Sequence, residues 1–273
     1  MADYGTYASV TDLKALLGVT DTTDDTVFRR QLELASRAID RYCNRHFYVR
    51  TETRYPTDTR GTRLNLDDDL LTVTTLKFDE SQDGTYEDTL TATDYVLWPY
   101  SEYPKRRIEL DTRTGNYTYW PGGIKPIEIA GTWGFGDGRR ASPWDATAYT
   151  GTVADATTAT LTVSGTSGFA VGQSILVGSE QMYVTAIGAL ALTVVRGING
   201  TTAAAHTAAA ISLAVYPEEV EQACFIEATR LWKRKDSAFA FAYGENSMGI
   251  IQAGRGIDRD AAQMLEPYRR LWI

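Results

Sequence analysis

Between Asp24 and Phe47 apolar side chains return at spacings of four, three, four and three: Phe28, Leu32, Ala35, Ile39 and Tyr42. That spacing predicts one stripe of an α-helix, with Arg29, Arg30, Glu33, Arg37, Asp40 and Arg41 covering the opposite side. Thr23, Asp24 or Asp25 is placed to cap the first turn, where free N–H groups and the helix dipole favour oxygen and negative charge. A helix with one apolar stripe needs a partner to bury it. A short helix comes just before, with Val10, Leu13, Leu16 and Leu17 on its apolar side, Ser9 or Thr11 at its start and Gly18 at its end. Joined by the polar loop TDTTDD, the two predict an αα-hairpin.

After Phe47 the period changes from that of a helix to that of strands. Residues 48–56, 62–66, 72–79, 94–98, 107–110 and 127–133 alternate and are rich in Thr, Val, Leu and aromatics. They predict an antiparallel sheet with one buried side, with a turn at 81–85 and an acidic loop at Asp67, Asp68 and Asp69. From Tyr149 to Leu213 the composition shifts: there is no Lys, and Arg196 is the only Arg. TATLTVSG, QSILVGS, EQMYVTAIG and LALTVVRG predict four short strands, and Ala203–Ala210 a helical turn or loop. Helical spacing resumes at Pro217, with Glu218 and Glu219 in the first turn, and ends at the basic KRK. Residues 236–257 predict a loop, and 258–271 a closing helix interrupted near Pro267. The expected fold is α+β: a helical bundle, made of the N-terminal hairpin and the C-terminal helices, with an antiparallel β segment and an inserted small all-β domain. The core is expected at residues 1–147 and 214–273 and the insertion at 148–213.

Composition narrows the function. The 273 residues hold 35 acids against 27 bases, a net charge of −8, which argues against nonspecific nucleic-acid binding through a basic surface. The start MADYGTYASVTDL has no apolar core for a secretory leader, and no run approaches the ~20 apolar residues of a membrane span, so the expected compartment is the cytoplasm. Cys43 and Cys224 fall in expected helices as buried, reduced thiols. His46 and His206 lack companions at metal-ligand spacing. Gly131–Arg140 lacks the strand–GxGxxG–helix context of a nucleotide site, and Gly178-Ser179-Glu180 is not a nucleophile elbow. Asp67–Asp69 lack the alternating spacing of a calcium loop. The expectation is therefore a non-enzymatic protein with no catalytic, cofactor-binding or metal-binding residues.

Two features suggest contacts with other chains. The arginines of the long helix form a basic ridge on an acidic protein. The ridge is either a solvated face laced by pairs such as Glu33–Arg37 or a contact with an acidic patch on a neighbour. The C-terminal end, with Met264, Leu265, Tyr268, Leu271, Trp272 and Ile273, is too apolar for a free terminus.

The hairpin run Val10–Phe47, above all ASRAIDRYCNRHF at Ala35–Phe47, resembles the head–tail connector (adaptor) family of long-tailed bacteriophages. The closing helices at Pro217–Lys235 and MLEPYRRL at Met264–Leu271 are similar to that family as well. The resemblance implies a structural virion protein assembled in the host cytoplasm. It implies a homo-oligomeric ring, usually of twelve subunits, that sits beneath the portal protein and extends the DNA channel. Such a ring offers a surface to a stopper or tail-completion protein; DNA passes without specific binding, and neither membrane nor cofactor is involved. Interface residues would be Arg29, Arg37, Arg41, Met264, Leu265, Tyr268, Leu271 and Trp272. Residues 150–213 depart from the compact connector and, through VGSEQMYVTAI and LTVVRGINGTTAAAH, are similar to a small β module of other phage structural proteins. The alternative is a tail or baseplate binding module whose β insertion recognises a host surface or glycan.

Overall fold

Helix α1 (Val10–Leu17) starts at Ser9, whose hydroxyl accepts the Asp12 N–H at 3.1 Å, and stops at Gly18 in the left-handed region. Helix α2 (Asp25–Cys43) runs 19 residues and ends at Asn44, also left-handed. Phe28, Leu32, Ala35, Ile39 and Cys43 are fully buried along it. Each large side chain among them contributes roughly 1.5–3 kcal/mol by leaving water. A computed structural model describes residues 5–234, 242–243, 251–252 and 256–270. The chain divides into two compact units: Met1–Arg45, Trp144–Ile198 and Thr202–Ile273 form one, and His46–Pro143 with Asn199–Thr201 form the other.

The second unit is an antiparallel sheet. Its strands are β1 (Arg50–Arg54), β2 (Thr59–Arg60), β3 (Arg63–Phe78), β4 (Asp88–Thr89), β5 (Tyr95–Trp98), β6 (Lys105–Leu110) and β7 (Ile127–Trp133). The order is β1-β7-β3-β6-β5, with β2 and β4 pairing beside β3. Alternation along β7 buries Ile127, Ile129 and Trp133 against Leu64, Leu70, Leu76, Phe78 and Ile108. Alternation puts position 131 on the same face, and it is glycine there because a Cβ would stand 2.1 Å from the Thr72 carbonyl oxygen.

In the first unit, β8 (Trp144–Val153), β9 (Thr160–Val163), β10 (Ser174–Val177), β11 (Glu180–Ile187), β12 (Ala191–Val195) and β13 (His206–Ala214) close a barrel in the order β10-β11-β12-β9-β8-β13. Closure is made by the pairs Ile175↔Leu213 and Val177↔Ile211. Val153, Leu161, Ile175, Met182, Val184, Leu192 and Ile211 fill the interior. The lone Arg of this segment has a structural role. Its guanidinium forks onto the fully buried Glu180, Nε to Oε1 and Nη2 to Oε2 at 2.7 Å each. The same carboxylate accepts the Gly197 and Ala204 N–H groups and lies 2.9 Å from His206 Nε2. Helix α3 (Glu218–Lys233) lays Val220, Ala223, Cys224 and Ala228 on α2, with Phe28 and Trp232 ring centroids 5.2 Å apart. Helix α4 (Arg259–Leu265) passes into a 3-10 turn, Glu266–Tyr268, at Pro267, as its sequence predicts.

The fold class departs from the sequence expectation. Among the described residues strand outweighs helix, 33% against 22% in four helices, and with its closed six-stranded barrel the fold is not a helical bundle carrying a small inserted domain. The barrel shares its unit with the helices and is bonded to the chain that leads into them. Thr6 donates its hydroxyl to the Gly172 carbonyl at 2.7 Å, Val10 its N–H to Val171 at 3.1 Å, and Tyr183 its hydroxyl to Glu33 of α2 at 3.3 Å. The physical reason is that β8 and β13 have weak local signals and become strands by pairing with each other across some sixty residues of chain. The Ala-rich run expected as a turn or loop lies largely in β13, where barrel closure overrides the helical preference of Ala. Asp67–Asp69 lie inside the 16-residue β3, not in a loop: two expected strands are one strand with irregular register near them. Of the loop expected at 236–257, 242–243 and 251–252 pair as a two-stranded ribbon, and most of the rest lies outside the described residues.

Candidate interaction surface

Helix α2 has two unlike faces. The inner one is closed: the Ser36 hydroxyl lies 3.5 Å from Cys224 Sγ, and both accept or donate within the α2–α3 seam. Burial pushes the Cys43 and Cys224 thiols up to about 12, so neither is a nucleophile at neutral pH. At the flank, Asp40 is buried and accepts the Tyr7 hydroxyl, and Arg37 Nε lies 3.0 Å from its Oδ2 with the guanidinium 5.5 Å from the Tyr7 ring. Burial, and then the Asp40 charge, raises the Tyr7 hydroxyl well above its ordinary pKa.

The outer face is open. Val27 is 39% and Leu34 49% exposed, seven residues apart on one side of the helix. Arg30 and Arg41 are exposed on that same side, without an ion-pair partner among the described residues. The three arginines expected at an interface therefore differ. Arg37 is held by Asp40 at the edge of the core; Arg29 lies 3.8 Å from Glu33 one turn on, a loose pair; Arg41 is free to meet something else. Counting charges along α2 passes over Val27 and Leu34, and the available signal was two apolar residues one heptad apart on the charged side.

The C-terminal residues return to their own chain. Leu265 is fully buried, the Arg270 N–H donates to the Cys43 carbonyl at 2.8 Å, and the Tyr268 hydroxyl donates to Glu219 at 2.8 Å. The Tyr42 hydroxyl donates to Glu266 at 3.1 Å beneath the Arg269 guanidinium. Met264 is half-buried; Leu271 and Trp272 lie outside the described residues.

Two other places were candidates for chemistry. A cleft of about 230 Å³ is lined by Thr6, Asp12, Asp145, Ser174, Tyr216 and Glu221 among others; burial, with Asp12 and Glu218 nearby, raises the Glu221 carboxyl. Its lining holds no His or Cys to act as base or nucleophile. In the sheet unit, Asp68 takes Arg50 at 2.7 Å and Arg54 at 2.6 Å, a buried carboxylate serving packing.

The outer side of α2 is thus a basic-apolar face of the kind that suits contact with another protein. Residues 7–92 match the family model described as phage gp6-like head-tail connector protein. That match covers α1, α2 and the sheet as far as β4, and over this segment the chain is similar to phage head–tail connectors, structural components of the virion. No curated protein matches the chain.

Proposed function

We propose that the chain is an adaptor ring subunit: it works as one of about twelve copies seated beneath the portal, extending the DNA channel and presenting a surface to a stopper or tail-completion protein.

 The observation that supports this is the outer face of α2, inside the matched segment, where exposed Val27 and Leu34 share one side with Arg30 and Arg41, which have no ion-pair partner among the described residues. Such a face suits a heterologous contact, in which one copy's basic-apolar stripe meets a different, acidic surface on the next copy and the rotation closes into a ring. Arg29 and Arg41 reach across in this arrangement, and Arg37, tied to Asp40, orients the helix that carries them. Met264 and Tyr268 belong to the terminal contact with the portal, and Leu265 anchors that segment to its own chain. The net charge of −8 suits a channel through which phosphates slide without being held.

The test is to mix the purified chain with its portal and measure mass by light scattering and shape by negative-stain imaging. Rings that form on the portal support the proposal. A chain that ignores the portal and binds glycans instead would replace it with the host-recognition reading.

A further inference from the structure

Strands β3 and β4 leave a nine-residue loop, 79–87, beyond the pair Phe78↔Asp88. The Asp79 N–H donates to the Pro126 carbonyl at 2.9 Å, and Gln82 and Gly84 adopt positive φ angles of 60° and 89°. Three carboxylates at i, i+4 and i+8 converge as a result: one oxygen each from Asp79, Asp83 and Glu87, all within 4.8 Å of one another. No Lys or Arg among the described residues pairs with any of the three.

Asp79 marks this as more than a cluster of surface acids. It is only 3% exposed, yet its carboxylate belongs to the converging set. Its Oδ2 accepts the Gly84 N–H at 2.9 Å, whereas its Oδ1 is buried with no hydrogen-bond partner among the described residues. A buried, unsatisfied carboxylate oxygen beside two more carboxylates is costly, and a cation removes both the desolvation and the repulsion.

We propose that Asp79, Asp83 and Glu87 bind a calcium ion, with Asp79 as the inner ligand. All three donors are oxygens, which suits a hard cation and not zinc. Two oxygens on one calcium at about 2.4 Å stand at most about 4.8 Å apart, so the carboxylates already meet the size of its shell. Magnesium, at about 2.1 Å, would have to draw every pair within about 4.2 Å and gives up its waters reluctantly. Three protein ligands leave the rest of the shell to water, which places the affinity in the weak range of about 10⁻⁴–10⁻³ M. The bound ion would clamp the loop that closes the β3–β4 end of the sheet.

The test uses the full chain after treatment with a chelator. Calcium chloride, with magnesium chloride as the comparison, is titrated to about 10 mM while Tm is followed. Terbium luminescence excited through tyrosine gives a second readout, since Tyr86 lies in the loop and donates to the Lys125 carbonyl. The expected result is a calcium-dependent rise in Tm of about 2–4 °C, saturating in the millimolar range. Asp83→Asn and Glu87→Gln, both at exposed positions, should each weaken the calcium midpoint at least about tenfold without lowering the calcium-free Tm, since each also removes one repelling charge. No Tm rise and no terbium signal would overturn the site, as would an undiminished response in the double variant. An equal response to magnesium at the same midpoint would overturn the assignment to calcium.

Discussion

Arg196 and Glu180 meet fork to fork inside the barrel unit, two contacts of 2.7 Å between a guanidinium that is 7% exposed and a carboxylate that is wholly buried. Arg196 also donates to the carbonyls of Thr158 and Asp155, so one side chain ties β11 to the loop before β9. Removing one partner of such a pair strands the other charge. Arg196→Ala should therefore cost about 3–5 kcal/mol in urea unfolding, whereas replacing both partners with apolar residues of similar volume should cost much less.

The same carboxylate sets an acid limit. Burial pushes the Glu180 carboxyl up, but the Arg196 fork, His206 and the N–H groups of Ala204 and Gly197 together hold it below its ordinary value. A depressed folded pKa means stability that is present above the unfolded pKa and lost as pH falls through the folded one. The urea midpoint should thus drop below about pH 4, and the drop should be shallower in Glu180→Gln, which has no charge to lose.

The two cysteines should report global unfolding. With both thiols near 12, on the order of one in ten thousand is ionised at about pH 8. Iodoacetamide should leave Cys43 and Cys224 unmodified in the native chain and label both in denaturant, as read by mass spectrometry.

The faces of α2 should separate stability from assembly. Ile39→Ala, at a fully buried site, should cost about 2–5 kcal/mol. Leu34→Ser and Arg41→Glu, on the outer face, should stay within about 0.5 kcal/mol of the parent in unfolding yet reduce assembly on the portal. Equal assembly by both outer-face variants would return that face to solvent.

The helices were legible because their signals are local. Ser9, Gly18 and Pro267 act on the backbone within a turn of themselves, and the Phe28–Ile39 stripe needs only its own spacing. The barrel was half legible for the opposite reason. β9 and β12 alternate in the sequence, but β8 and the Ala-rich β13 have their conformation decided by strands far along the chain. The acids show the same divide. Asp67–Asp69 attracted notice as a run, yet Asp68 serves Arg50 and Arg54 inside a strand. Asp79, Asp83 and Glu87 are spread over nine residues and meet only because Gln82 and Gly84 turn the chain back. On α2 the arginines were visible as charge, but which of them Asp40 holds depends on packing that a helical wheel does not contain.

Because β10 is bonded to β11 on one side and β13 on the other, the barrel presents no strand edge. Unpaired edges are the usual templates for fibril growth and for strand exchange between copies. A subunit built this way can accumulate at high concentration without its barrel walls annealing to one another, which leaves side-chain surfaces, and not backbone, to decide when copies come together.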